Sequence, residues 1–166
     1  MLAPNSHKQE LVTLEKEIQY REALPEDVQE IVELVLGVFD KYVGSGYSLE
    51  GQSVFRMYCH SDSMRTRLTE GSSFCLVAIF KQNIIGMIEV RNGNHIALLF
   101  VDDRCHKNGI AKNLISLAIE KSKVTEIDVN SSPYAVDIYR RMGFEQLDDE
   151  QIRDGIRFIP MKKSII

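Results

Sequence analysis

The residues with the clearest chemical potential are Gly109 and Ala111. They follow a polar turn over 102–108, which in turn follows an unbroken apolar run over 96–101 (Ile-Ala-Leu-Leu-Phe-Val). The run reads as a buried strand. Past the turn, Ile110, Leu114, Leu117 and Ala118 recur at helical spacing, with Lys112, Asn113 and Lys121 on the other side. The first four N–H groups of a helix have no internal acceptor, and the helix dipole places roughly half a positive charge there. A strand, a tight turn and a helix opening on small residues therefore make an anion site, because no side chain holds a phosphate away from the backbone. No Gly-Lys-Ser/Thr follows the glycine and no third glycine arrives on the dinucleotide spacing, so two common nucleotide loops are excluded.

Other reactive residue types are less informative. Cys59 and His60 with Asp62 lack zinc-ligand spacing, and no metal is expected. Cys105 and His106 are adjacent, so they do not face each other as a nucleophile and base would. Three cysteines cannot all pair, which suits a reducing cytoplasm.

The elements that must position the loop can be read around it. Residues 1–17 form a leader, frayed or helical, and 18–166 a single domain. A first strand is expected over 18–23. Leu24-Pro25-Glu26-Asp27 opens a helix with proline at its first position and acid at its positive end, burying Val28, Ile31, Val32, Val35 and Phe39. Gly44-Ser45-Gly46 breaks the chain before a second helical region with Leu49, Val54, Phe55, Met57 and Tyr58 as its apolar side, and a short helix is expected near 64–68. Strands follow over 74–80 and 84–91, joined by Lys81-Gln82-Asn83, and Asn92-Gly93 turns into the strand before the loop. After the loop helix come a strand over 125–130 and a helix begun at Ser131-Ser132-Pro133, with Ser132 as its cap and Gly143 closing it. Two tail strands are expected near 145–147 and 157–161.

Composition sets outer limits. At 166 residues the chain can bury one core, and no apolar run approaches the roughly 18 residues of a membrane span. A net charge of −4 gives no electrostatic case for nucleic acid. Expected partners are amines of small molecules or proteins, with neither nucleic acid nor membrane, and the chain is expected to be a monomer or homodimer in the cytoplasm.

The segment His106-Lys107-Asn108-Gly109-Ile110-Ala111 resembles the acyl-CoA loop of the GCN5-related N-acetyltransferases (GNAT), Gln/Arg-x-x-Gly-x-Gly/Ala, with His106 in place of Gln or Arg and Asp103 in place of a frequent proline. A second segment, 128–144, is similar to the family's strand-helix motif ending in Tyr-x-x-x-Gly-Phe, here Tyr139-Arg140-Arg141-Met142-Gly143-Phe144. The resemblance covers roughly 18–163. It implies an α+β, three-layer fold of the acyl-CoA N-acyltransferase type, with a mixed, mostly antiparallel central sheet of 6–7 strands and helices on both faces.

It also implies acetyl-CoA as cofactor, CoA as product, and transfer of the acetyl group to a primary amine by direct attack in a ternary complex. The pantetheine arm would bond backbone groups of Leu99, Phe100 and Val101. The pyrophosphate would sit on the amides of the loop, so His106, Lys107, Asn108, Gly109, Ile110, Ala111 and Lys112 become cofactor-binding candidates, with Asn130 near the pantetheine amides. Tyr139 stands at the family's thiolate-protonating position; as a phenol it is protonated at neutral pH, while its place on a face with Ala135, Ile138 and Met142 equally suits a core aromatic. Two residues are candidate bases: Glu89, which shares a strand face with Arg91 and could instead be an ion-pair partner, and His95, which could instead cap a turn. The acceptor would meet the helices within 25–70 and the tail loop 148–155, where Glu50, Asp148, Asp149 and Glu150 suit a cation. The alternative is a non-catalytic acyl-CoA sensor or interaction module on the same fold.

Overall fold

A computed structural model describes residues 17–165; the expected leader lies, apart from Glu17, outside the described residues. The chain runs β1 (Gln19–Glu22), α1 (Val28–Tyr42), α2 (Leu49–Tyr58), α3 (Ser61–Glu70), β2 (Ser73–Phe80), β3 (Asn83–Arg91), β4 (His95–Val101), α4 (Ile110–Ser122), β5 (Glu126–Ser131), α5 (Val136–Arg141), β6 (Glu145–Gln146), β7 (Gln151–Arg153) and β8 (Ile156–Ser164). The sheet order is β1-β2-β3-β4-β5-β8-β6, with β7 hairpinned onto β8. All pairs are antiparallel except β4–β5.

Period-2 alternation divides the sheet between two cores. Leu76, Ala78, Ile88, Val90, Ile127, Val129 and Met161 point to the face covered by α4 and α5. Cys75, Val77, Met87 and Leu98 point to the face under α1 and α3. Helix α1 buries Val28, Ile31, Val32, Val35 and Phe39, spaced for one helical stripe. Each such side chain contributes ~1.5–3 kcal/mol of transfer free energy, enough in sum to hold the helix on the sheet.

Eight strands replace the expected 6–7. The addition is β7, whose turn onto β8 is Asp154-Gly155 with φ of 52° and 78°; this dipeptide favours a two-residue hairpin, and the tail loop expected over 148–155 is largely this hairpin. The helix expected from Pro25 begins as a 3₁₀ turn, Pro25–Asp27, before α1. The short helix near 64–68 is the ten-residue α3. In α2, Leu49 and Met57 are on the exposed side rather than the apolar face assigned to them, because Gly51 is the residue turned inward. Ser132 stands at the N-cap of a 3₁₀ turn, Pro133–Ala135, through which the chain enters α5, but its side chain makes no capping bond. No helix among the described residues is long and apolar enough to cross a membrane.

Candidate active site

Strands β4 and β5 pair at only two rungs, His95 with Asp128 and Ile96 with Val129. Beyond them β4 stays bonded to β3 and β5 to β8, so the sheet opens between β4 and β5. The opening starts at an irregularity in β4. Leu98 is paired with Glu89 and Ile96 with Val90, which leaves Ala97 without an opposite residue and makes a bulge that bends the strand.

The alternation of an antiparallel ladder decides which β4 groups face the gap. Asp102 donates its N–H to the Ile85 carbonyl at 2.8 Å, so the backbone groups of Val101 and Leu99 point the other way, toward β5. Those of Phe100 are turned to β3, opposite Met87. Leu99 and Val101 are thus the β4 residues able to bond an extended ligand lying in the opening. His106 Nε2 lies 3.0 Å from the Val101 carbonyl oxygen; that oxygen can only accept, so the ring donates and ties the loop to the strand end.

The loop ends at Gly109, whose φ of 71° lies in the left-handed region, with Lys107 at 68°. Asn108 is buried and donates its amide N–H to the Cys105 carbonyl at 2.9 Å, fixing the turn from inside. The first intrahelical bond of α4 runs from the Asn113 N–H to the Gly109 carbonyl. The amides of Gly109, Ile110, Ala111 and Lys112 have no acceptor among the described residues. A Cβ built on Gly109 would meet nothing within 4 Å, so the space beside the first of them is open. Lys107 and Lys112 are exposed and form no ion pair among the described residues. Free amides, open space and unpaired lysines suit a diphosphate.

Tyr139 projects from α5 into the core that also holds Ile96 and Val129, the last paired residues before the opening. Its ring packs edge-on against Phe144 with centroids 5.2 Å apart. Burial raises its pKa above the ordinary phenol value. The hydroxyl has no hydrogen-bond partner among the described residues, yet it is not one of the sealed, unsatisfied atoms. The ring belongs to the core, as one of the two expected readings had it, and the hydroxyl is left as an uncommitted donor. Asn130 is exposed at the end of β5, on the face opposite α5.

The two candidate bases differ sharply. Glu89 is fully buried. Its partner is not Arg91 but Arg67 from α3, which grips both carboxylate oxygens at 2.7 and 3.1 Å. Tyr58 donates a further bond at 3.2 Å. Burial first, and the neighbouring Glu89 charge second, push the Tyr58 phenol up to about 12, so it stays a donor. The Arg67 guanidinium stacks on the Tyr58 ring 3.7 Å from its centroid. His95 is bonded through Nδ1 to Asp128.

Several residues around the opening carry no sequence signal. Tyr42, at the end of α1, donates to Asp103 at 3.0 Å and stacks on Tyr134, centroids 5.3 Å apart. Lys41 pairs with the same Asp103, and these two contacts hold its carboxyl at about 2. The stack joins the α1 end and the loop start on one flank to the segment after β5 on the other. Arg67 and Asp128 were equally invisible, since each acts through a partner 22 and 33 residues away. Among the described residues there is no cluster of three metal-ligating side chains.

The acetyltransferase (GNAT) domain family matches residues 43–165. None of the curated proteins matches the chain. Among solved structures, a GCN5-related N-acetyltransferase from Rhodopseudomonas palustris superposes with a TM-score of 0.75 at 18% identity, over 88% of this chain and 94% of that one. The PaiA N-acetyltransferase from Thermoplasma acidophilum, in complex with coenzyme A, gives 0.73 at 20% identity, over 89% and 98%. An aminoglycoside 6'-N-acetyltransferase complexed with coenzyme A gives 0.63 at 12% identity, over 89% and 97%. These likenesses establish a shared fold, and the domain match spans most of the chain, including the opened strands and the loop of free amides: the chain belongs to the GNAT acetyltransferase family.

Proposed function

We propose that this chain transfers the acetyl group of acetyl-CoA to a primary amine of a small molecule or protein, by direct attack in a ternary complex. The observation that carries the reading is the run of unpaired amides from Gly109 to Lys112, with open space beside the first of them, at the mouth of the β4–β5 opening. The residues fit the coenzyme: amides and lysines for the diphosphate, and the backbone groups of Leu99 and Val101 for the amides of an extended arm. Solved relatives of the same fold carry coenzyme A.

Acetyl-CoA supplies a thioester whose carbonyl carbon is open to an amine once that amine has lost a proton. The chain must then remove a proton from an ammonium, hold the carbonyl oxygen and protonate a departing thiolate. Tyr139 holds the last proton, on a phenol kept neutral by burial. The carbonyl oxygen would accept from a β4 backbone N–H that faces the opening, that of Leu99 or Val101. His95 is the better base, because both oxygens of Glu89 are committed to Arg67.

The test is a thermal shift with acetyl-CoA followed by a panel of amines screened by thiol release. A binder gains about 2.7 kcal/mol at a hundredfold excess over the dissociation constant. Saturable binding without thiol release from any amine would support the sensor; no shift at all would overturn both.

A further inference from the structure

We infer that Asp128 is a positioning residue for the base: it fixes the tautomer and orientation of His95 at the point where β4 and β5 part. The inference rests on the acetyl-transfer reading above and goes beyond it by assigning a residue that neither motif contains as a functional position.

His95 and Asp128 form the first parallel rung, immediately before the rung Ile96–Val129, after which the strands separate. Ile96 and Val129 turn to the α4–α5 core, so alternation places the imidazole and the carboxylate together on the opposite face. That face is the one on which Glu89 lies beneath Tyr58 and Arg67. His95 Nδ1 contacts Asp128 Oδ1. A carboxylate only accepts, so Nδ1 carries the hydrogen and the neutral ring keeps its lone pair on Nε2. Nε2 has no partner among the described residues. The side chains are 19% and 37% exposed, enough for an acceptor to reach the ring while its other edge stays held.

The other carboxylates on this face that flank the pair are already matched with cations. Glu126 of β5 is bonded to Lys162 of β8 at 2.8 Å, and Glu89 of β3 is taken by Arg67 of α3. Arg91, the β3 partner of His95, lies 5.9 Å from the Tyr58 ring centroid. Asp128 is therefore the carboxylate left to balance an imidazolium. One proton of the substrate ammonium passes to Nε2, and the freed lone pair attacks. Tyr139 would give its hydroxyl proton to the departing thiolate and regain one through water from the second amine proton, and the His95 imidazolium would release its proton to solvent. Asp128 keeps its hydrogen bond to Nδ1 throughout and so holds the ring in place.

Two measurements test this. In the wild-type protein, ¹⁵N shifts of the His95 ring should show the Nδ1–H tautomer; an Nε2–H tautomer overturns the inference without any substrate being known. With an amine acceptor in hand, Asp128→Asn should lower kcat/KM ~10–100-fold. Acetyl-CoA binding should stay unchanged. Asp128→Glu should restore part of the rate. A kcat/KM in Asp128→Asn equal to that of the wild type overturns the inference. If the wild type turns over no amine, it is the acetyl-transfer reading that fails, and the tautomer measurement still reports on the pair.

Discussion

Gly51 of α2 and Gly155 of the β7–β8 turn are in backbone contact: a Cβ on Gly51 would lie 2.1 Å from the Gly155 carbonyl oxygen. Through this contact a helix of the N-terminal half braces a hairpin of the C-terminal half, across the line along which β4 and β5 separate. Gly51→Ala must push the hairpin away, since the obstacle is backbone and cannot rotate aside. The expected cost is about 1–3 kcal/mol in stability. Urea denaturation measures it. If the hairpin walls the acceptor site, KM for the amine rises severalfold in steady-state assays while KM for acetyl-CoA stays put.

Breaking the ion pair under α3 should be far more damaging than removing a surface charge. Arg67 is 14% exposed and Glu89 1%. Arg67→Met leaves a buried carboxylate facing Tyr58 and two thiols, Cys59 and Cys75, the first of which burial already pushes up to about 12. The loss should be ~3–5 kcal/mol in unfolding free energy, against ~0–1 kcal/mol for breaking the exposed ion pair between Arg56 and Asp40 with Arg56→Ala.

Gly109→Ala separates stability from ligand binding. No neighbour obstructs the new methyl group, so the stability cost is the left-handed φ alone, about 1 kcal/mol. The methyl group would stand where the diphosphate approaches the free amides. Calorimetric titration with acetyl-CoA should therefore show a loss of affinity of tenfold or more, while the melting temperature of the free protein falls only slightly.

Tyr139→Phe keeps the ring against Phe144 and removes only the free hydroxyl. Coenzyme affinity should be unchanged and kcat should fall ~10–100-fold. Because burial raises this phenol's pKa, its ionisation should not appear as a basic limb in the wild-type kcat profile at pH 10 or below. A limb there that vanishes in Tyr139→Phe would contradict the donor role.

Acid stability should depend on Asp27. The hydrogen bonds from Arg21, opposed by burial and helped by the Leu24 N–H, hold its carboxyl below the usual range. A carboxyl depressed in the folded state stabilises the protein fully above its unfolded value, ~3.9, and loses that contribution as pH falls through the folded value. Urea midpoints measured from pH 6 down to 3 should decline, and Asp27→Asn should flatten part of that decline.

Much of this was legible in the order of residues because it is local. The apolar run before the loop, Gly109 and the helical stripe from Ile110 all report on neighbours a few positions away, and hydrophobic period and turn chemistry act over that range. The hairpin of β7 and β8 is equally local, signalled by Asp154-Gly155, but β7 has three residues, too few for hydrophobic alternation to separate it from a loop. Helix α2 misled for a different reason. Leu49 and Met57 are apolar, but close packing against the hairpin admits only a glycine, so the face with the smallest residue is the one turned inward.

The chain alone therefore determined the family, the topology in outline and the loop of free amides, since each follows from backbone chemistry written into short segments. Tertiary structure alone decided which side chains meet. Arg67 neutralises Glu89 and Asp128 holds His95, pairings set by strand register and by the placement of α3, and no spacing within the sequence encodes either. The role of an ionisable residue depends on the charge beside it, and that charge is brought there by the fold.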